Sequence, residues 1–142
     1  GVMVEHRSVS NYSEWLKNHA AYSAATRVDC SSSFSFDTTV GVLFAPLFSG
    51  QRIILCSEFI KQDMQLYLEH LEKQMVTLIK LTPTYFSNLL NNYDTLFLLK
   101  KLSQIKCVVI AGEKVSKELV LKCLTLLPNC TIINFYGPTE TT

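Results

Sequence analysis

Apolar positions fall along this chain in two alternating rhythms. Tyr12, Trp15 and Leu16 share a helical face, with Ser8 or Ser10 available as a cap, which predicts a helix to about residue 21. Residues 28–36 (VDCSSSFSF) alternate in part and carry no helix signal, so they are predicted as a strand. An apolar helix is expected over residues 37–48, stopped by Gly50, and RIILC at 52–56 reads as a short buried strand. The clearest helix is predicted at 60–75, where Ile60, Met64, Tyr67, Leu68, Leu71 and Met75 recur at helical spacing among Lys, Gln and Glu. VTLIKL at 76–81 is a further strand. Thr82 then supplies an N-cap and Pro83 a first helical residue for a helix to about residue 92. Residues 96–102 add a helical turn or two, and KCVVIA at 106–111 is a strand closed by Gly112. Ser116 caps a helix whose Leu119, Val120, Cys123, Leu124 and Leu127 face inward. Pro128 and Asn129 end it, and CTIINFY at 130–136 is the last strand.

Short strands apolar on both faces, separated by helices of ten or more residues, are the mark of an α/β domain with a mainly parallel sheet flanked by helices on both faces. At 142 residues the chain suits one domain with a real core. Right-handed crossovers place the C-terminal ends of the strands on one edge, where such sheets bind ligands. That edge would gather Asp37, Lys80, Gly112 and the GPTETT tail.

Composition narrows the functional classes. The chain is 48% hydrophobic and 18% charged, below the usual quarter, so some faces are expected to be covered by other protein. A formal net charge of +1 gives no electrostatic reason for nucleic acid or an acidic membrane as partner. No run of about eighteen apolar residues could span a bilayer, and GVMVEHRSV lacks the regions of a signal peptide. Cys30, Cys56, Cys107, Cys123 and Cys130 are far apart and form no Cys-x-x-Cys pair, so they read as reduced, buried thiols in a cytoplasmic protein. His6, His19 and His70 have no mutual spacing that suggests a metal site or a nucleophile's base.

The tail carries the strongest chemical signal. In NFYGPTETT a Gly-Pro turn follows a strand and presents Thr139, Glu140, Thr141 and Thr142, hydroxyls and a carboxylate suited to phosphate and Mg²⁺, although a plain polar turn has the same look. This run resembles the signature of adenylate-forming enzymes in the version typical of non-ribosomal peptide synthetase adenylation domains. GVMVEHRSV resembles the segment after that family's phosphate loop, and SFSFDTTV its substrate-binding strand-to-helix junction. LTPTYFSNLL resembles its Pro-Thr-Tyr helix, and VIAGEKVS its adenine-side loop. The resemblance covers essentially the whole chain. It implies the central part of the large N-terminal subdomain, one partial domain over residues 1–142, with the phosphate loop before it and the ribose-binding aspartate and C-terminal subdomain after it.

The implied reaction joins an amino acid to the α-phosphate of ATP, releasing pyrophosphate, and passes the acyl group to a phosphopantetheine thiol on a carrier domain. Carrier and condensation domains are the implied partners. Asn134 and Tyr136 would contact adenine, Gly112 and Glu113 would line it through backbone, Thr139 would touch phosphate, and Glu140 would hold Mg²⁺. Asp37 would pair with the substrate ammonium, although an aspartate there also suits a helix N-cap. Thr38, Gly41, Lys80, Val109, Ala111 and Phe135 match the other pocket positions. Lys80 is the one charge in an otherwise apolar strand; it either reaches solvent or enters the pocket and favours an acidic or amide side chain, aspartate first. No residue is assigned as catalytic, and the piece alone is not expected to adenylate. An acyl- or aryl-CoA ligase of the same superfamily, a non-catalytic doubly wound binding module and a degenerate synthetase domain are the competing readings.

Overall fold

In the computed structural model, which describes residues 1–141, the expected alternation of helices and parallel strands is present. The elements are α1 (His6–Asn18), α2 (Ala20–Ser23), β1 (Arg27–Cys30), α3 (Thr38–Ser49), β2 (Arg52–Leu55), α4 (Glu58–Gln62), α5 (Met64–Lys73), β3 (Leu78–Leu81), α6 (Pro83–Asn91), α7 (Thr95–Lys101), β4 (Cys107–Ala111), α8 (Lys117–Leu126), β5 (Thr131–Phe135) and a short 3-10 turn over Thr139–Thr141. The five strands form one sheet in the order β2-β1-β3-β4-β5, and every pairing is parallel.

Local chemistry accounts for most boundaries. The hydroxyls of Thr82 and Ser116 accept from the backbone N–H of Tyr85 and Leu119, closing the first turns of α6 and α8. Gly50, at φ 67°, ends α3 in the left-handed conformation that suits glycine.

Five elements differ from expectation. The helix expected from a Ser8 or Ser10 cap to about residue 21 starts at His6 behind Glu5, with no side-chain cap, and breaks at the extended His19 into α1 and α2. The strand predicted at 28–36 is β1 alone. Its serine-rich remainder turns back on itself, with Phe36 N–H donating to the Ser33 carbonyl at 3.1 Å and the Thr39 hydroxyl to the same oxygen at 2.8 Å. The helix predicted at 60–75 is two, because the Asp63 carboxylate accepts from the N–H groups of Gln65 and Leu66 and starts α5 afresh. β2 is a sheet edge rather than a buried strand, so Leu55 is 69% exposed. On α8, Leu126 takes the inward place expected of Leu124, which is exposed.

The sheet separates two cores. Leu16, Tyr22 and Val42 of α1–α3 pack on Val28, Leu78 and Val109. On the other face Tyr67, Leu68, Phe86, Leu89 and Leu98 of α5–α7 pack on Ile79, Val108 and Ile110. Strands β3, β4 and β5 pair along their lengths, whereas β1 meets β3 in register only at Val28 and Leu78. The Thr77 hydroxyl stitches their N-terminal ends, accepting from Thr26 and Arg27 N–H at 2.9 and 3.0 Å. Among the described residues no further register pair joins their C-terminal ends. Strand order reverses at this same junction, where open α/β sheets place ligands.

Candidate functional site

A cleft of about 1110 Å³ opens over the C-terminal ends of the strands, and Asp37, Lys80, Gly112 and Tyr136 all line it. Asp37 reaches it from the start of α3. It occupies the N-cap position, but its backbone is already helical (φ −60°, ψ −24°) and its side chain caps nothing. Instead Oδ2 accepts a 2.6 Å hydrogen bond from the Thr139 hydroxyl, 102 residues away. The carboxylate therefore faces the groove, not its own helix. Thr38, beside it, also lines the cleft.

Lys80 rises from β3 into the same space. It is 6% exposed, donates from Nζ to the Thr38 carbonyl at 3.2 Å, and lies 5.4 Å from the centre of the Phe135 ring. Burial pushes its pKa down to about 8, against the pull of the Asp37 charge. Of the two placements open to this lysine, the structure has the one inside the pocket. Gly41 makes room for it: a Cβ there would stand 3.1 Å from the Tyr12 hydroxyl and 3.5 Å from Lys80 Nζ. The Tyr12 phenol is pushed up to about 12, chiefly by burial and then by Asp37, so it stays a neutral donor.

Phe135 and Ala111 form the wall above this charge. Phe135 stacks on Tyr22 at 6.1 Å and meets Trp15 at 5.9 Å. Val109 is fully buried in the core beneath them rather than on the cleft surface. Tyr12 and Trp15 of α1, with His19 just past its end, complete the rim, and sequence reasoning did not single them out for the site. The available signal was the i, i+3 spacing of Tyr12 and Trp15, which puts both on one helical face, with Trp15 left 52% exposed.

The strand period divides the cleft. Ile133 and Phe135 point to the α1–α3 side, while Asn134 between them points to the other. Tyr136 beyond them is 99% exposed, an uncovered aromatic ring beside Gly137 and Pro138. Gly112 turns at φ 89°, which only glycine adopts readily. The Glu113 carboxylate is pinned away, accepting from Thr84 N–H at 3.0 Å and from the Thr84 hydroxyl, bonds that hold its pKa below the ordinary range. Its backbone is what remains for a ligand.

Thr139 is half-buried on Asp37, and Glu140 is exposed in the 3-10 turn. The exposed Glu140 carboxylate, just past the cleft-lining Gly137 and Pro138, is of the type that holds Mg²⁺, which takes one or two carboxylates and the substrate's own phosphates. Thr142 and the Thr141 side chain, named with this tail, lie outside the described residues.

Three comparisons bear on this arrangement. The family profile for AMP-binding enzyme matches residues 1–142. Bacitracin synthase 3 of Bacillus licheniformis is 31% identical over 140 residues, covering 99% of this chain and 2% of that protein. Tyrocidine synthase 3 of Brevibacillus parabrevis is 32% identical over 140 residues, covering 99% of this chain and 2% of its own length. The chain thus spans only a small fraction of the length of these curated relatives. Among solved structures, the non-ribosomal peptide synthetase FmoA3 in its α-methyl-L-serine-AMP bound form superposes with a TM-score of 0.86 at 24% identity, over 99% of this chain and 16% of that one.

Proposed function

Since this chain belongs to the AMP-binding enzyme family, we propose that it is the central part of the N-terminal subdomain of an amino-acid-activating adenylation domain in a non-ribosomal peptide synthetase. The observation that carries the reading is that Asp37 and Tyr136, 99 positions apart by their numbers, line one cleft, with Thr139 bonded to Asp37 between them.

In this reading Asp37 pairs with the α-ammonium of the substrate. An ammonium taken out of water without such a partner carries a large desolvation cost. The substrate lies toward Thr38, Gly41, Ala111 and Phe135, over Val109. Tyr136 and Asn134 hold adenine, with the Gly112–Glu113 backbone along its edge, and Thr139 would meet phosphate by exchanging its bond to Asp37. Glu140 would hold Mg²⁺, whose charge offsets that of the phosphates. The substrate carboxylate oxygen bonds to the α-phosphorus of ATP as the bond to pyrophosphate breaks, and the chain contributes orientation and charge rather than a nucleophile of its own. Later transfer to a phosphopantetheine thiol involves carrier and condensation domains, a reading supported by the synthetase relatives. The five free cysteines and the absence, among the described residues, of a helix long and apolar enough to cross a membrane agree with a cytoplasmic enzyme.

Lys80 refines the substrate class. Its ammonium is buried beside open volume and favours an acidic or amide side chain, aspartate first. ATP–pyrophosphate exchange by the intact synthetase module, run across the proteinogenic amino acids, tests both levels. Exchange with aspartate above all others is expected. A large apolar favourite would overturn the Lys80 assignment, and exchange with fatty or aryl acids alone would overturn the amino-acid reading. The 142-residue chain by itself is expected to form no aminoacyl-AMP.

A further inference from the structure

A second cluster of chemically capable groups lies on the sheet face away from the cleft, and none of its members lines the cleft. Asp29 of β1, Cys56 just past β2 and His70 of α5 each bring one donor atom within 4.8 Å of the other two. Three separate elements supply them, so the convergence is tertiary rather than a run of neighbouring residues.

Two of these residues each carry a buried polar atom with no hydrogen-bond partner among the described residues. Asp29 is 2% exposed; its Oδ2 accepts from the Tyr67 hydroxyl at 2.7 Å and the Ser31 hydroxyl at 2.5 Å. Its Oδ1 has no hydrogen-bond partner among the described residues, and neither does His70 Nε2. Buried polar atoms are nearly always partnered, so an orphaned acceptor and an orphaned ring nitrogen on two residues of one cluster ask what completes them. Lys61 does not. Its Nζ donates to Ser31 Oγ at 2.9 Å and sits over the Tyr67 and Tyr85 rings at 3.8 and 4.2 Å, reaching Asp29 through Ser31 rather than directly. The Cys56 thiol has a weak contact, 3.6 Å from the Ser57 carbonyl.

We infer that Asp29, Cys56 and His70 bind a divalent ion of the zinc class. Carboxylate oxygen, imidazole nitrogen and thiolate sulfur are the donor types that ion selects, and bonds near 2.0–2.3 Å require the three atoms to draw in by roughly 1 Å. On binding, Cys56 loses its thiol proton to solvent and a sulfur–metal bond replaces it. Tyr67 and Ser31 already orient the carboxylate, as outer partners of metal ligands do. The ion would clip the edge strand β2 to β1 and α5, a structural role distinct from the chemistry in the cleft.

The test uses the intact synthetase module, stripped with a chelator and titrated first with Co²⁺ and then with Zn²⁺. Expected are a thiolate-to-cobalt charge-transfer band, its loss when Zn²⁺ displaces Co²⁺, and its absence in Cys56→Ser. His70→Gln should weaken Co²⁺ binding by about tenfold or more, and Zn²⁺ should raise the melting temperature of wild type but of neither variant. His70→Gln keeps the result decisive if Cys56→Ser fails to fold. No band in wild type, a band undiminished in Cys56→Ser, or unchanged affinity in His70→Gln would each overturn the site.

Discussion

Asp29 and Lys80 occupy opposite faces of the same sheet and are 2% and 6% exposed, yet they are buried in different ways. Asp29 lies under the continuous apolar core of α5–α8, ringed by the hydroxyls of Ser31 and Tyr67 with Lys61 behind them. Lys80 has the Thr38 carbonyl and a ring face, and beyond them open volume shared with Asp37. The first charge has one oxygen held by the protein's own hydroxyls and the other left unpartnered among the described residues, facing the inferred ion rather than a substrate. The second is desolvated but left for a ligand to complete, which is the condition under which a buried cation reads out a substrate. Small residues contribute to the difference: Gly41 lets Tyr12, Leu16 and Lys80 approach closely, and Ala111 lines the cleft, where leucines and aromatics fill the other face.

Substitutions can break that contrast, and the largest effect belongs to the enclosed charge. Asp29→Ala strips Tyr67 and Ser31 of their common acceptor and Lys61 of its buried counter-charge, and should cost about 3–5 kcal/mol, read by urea denaturation, with substrate preference intact. A variant as stable as wild type would remove the distinction between the faces. Asp37→Ala should do the reverse: stability within about 1 kcal/mol, and amino-acid-dependent pyrophosphate exchange down roughly 100- to 1,000-fold, the equivalent of losing a buried charge partner.

Lys80→Met sharpens the comparison further. Removing a desolvated charge from a ligand pocket should leave stability unchanged or raise it, while preference for acidic over apolar side chains falls by about 10- to 100-fold in exchange assays. The pH dependence follows from the same residue. Its folded pKa of about 8 lies below the ordinary 10.5, so between those values the unfolded chain binds more protons and stability should rise with pH. Over the same interval the ammonium is lost and preference for an acidic substrate should fade. Lys61, lowered to about 8 by burial on the other face, adds to the stability slope without touching selectivity. Lys80→Met should therefore abolish the pH effect on substrate choice and only part of that on melting. The smallest effect is expected of Thr139→Val, which removes one hydrogen bond to Asp37, about 1 kcal/mol, and should raise KM for the amino acid by about fivefold.

Signals that act within a few residues were legible. Thr82 with Pro83, Ser116 and Gly50 bound their helices where a cap or a left-handed stop demands. Asp63 shows the limit of the apolar period, since an uninterrupted face conceals a cap that divides α4 from α5. The serine run after β1 failed for a related reason: its hydroxyls and carbonyls are satisfied by turning, which partial alternation does not register. Of the site, the residues carried by the Gly-Pro-Thr-Glu tail and by Asp37 could be named in advance. Trp15 and His19 could not, because their place on the rim depends on how closely α1 lies against α3 at Gly41.

The order of residues alone determined the α/β class, the parallel habit of the strands and the chemistry available at their tips, because periodicity, caps and turns are local consequences of side-chain type. Tertiary structure decided which of those groups act together. Asp37 stands at a helix start yet bonds to Thr139, and Lys80 could have sought solvent but lies in the cleft, since each outcome depends on what strand order and helix packing bring across the gap between β1 and β3.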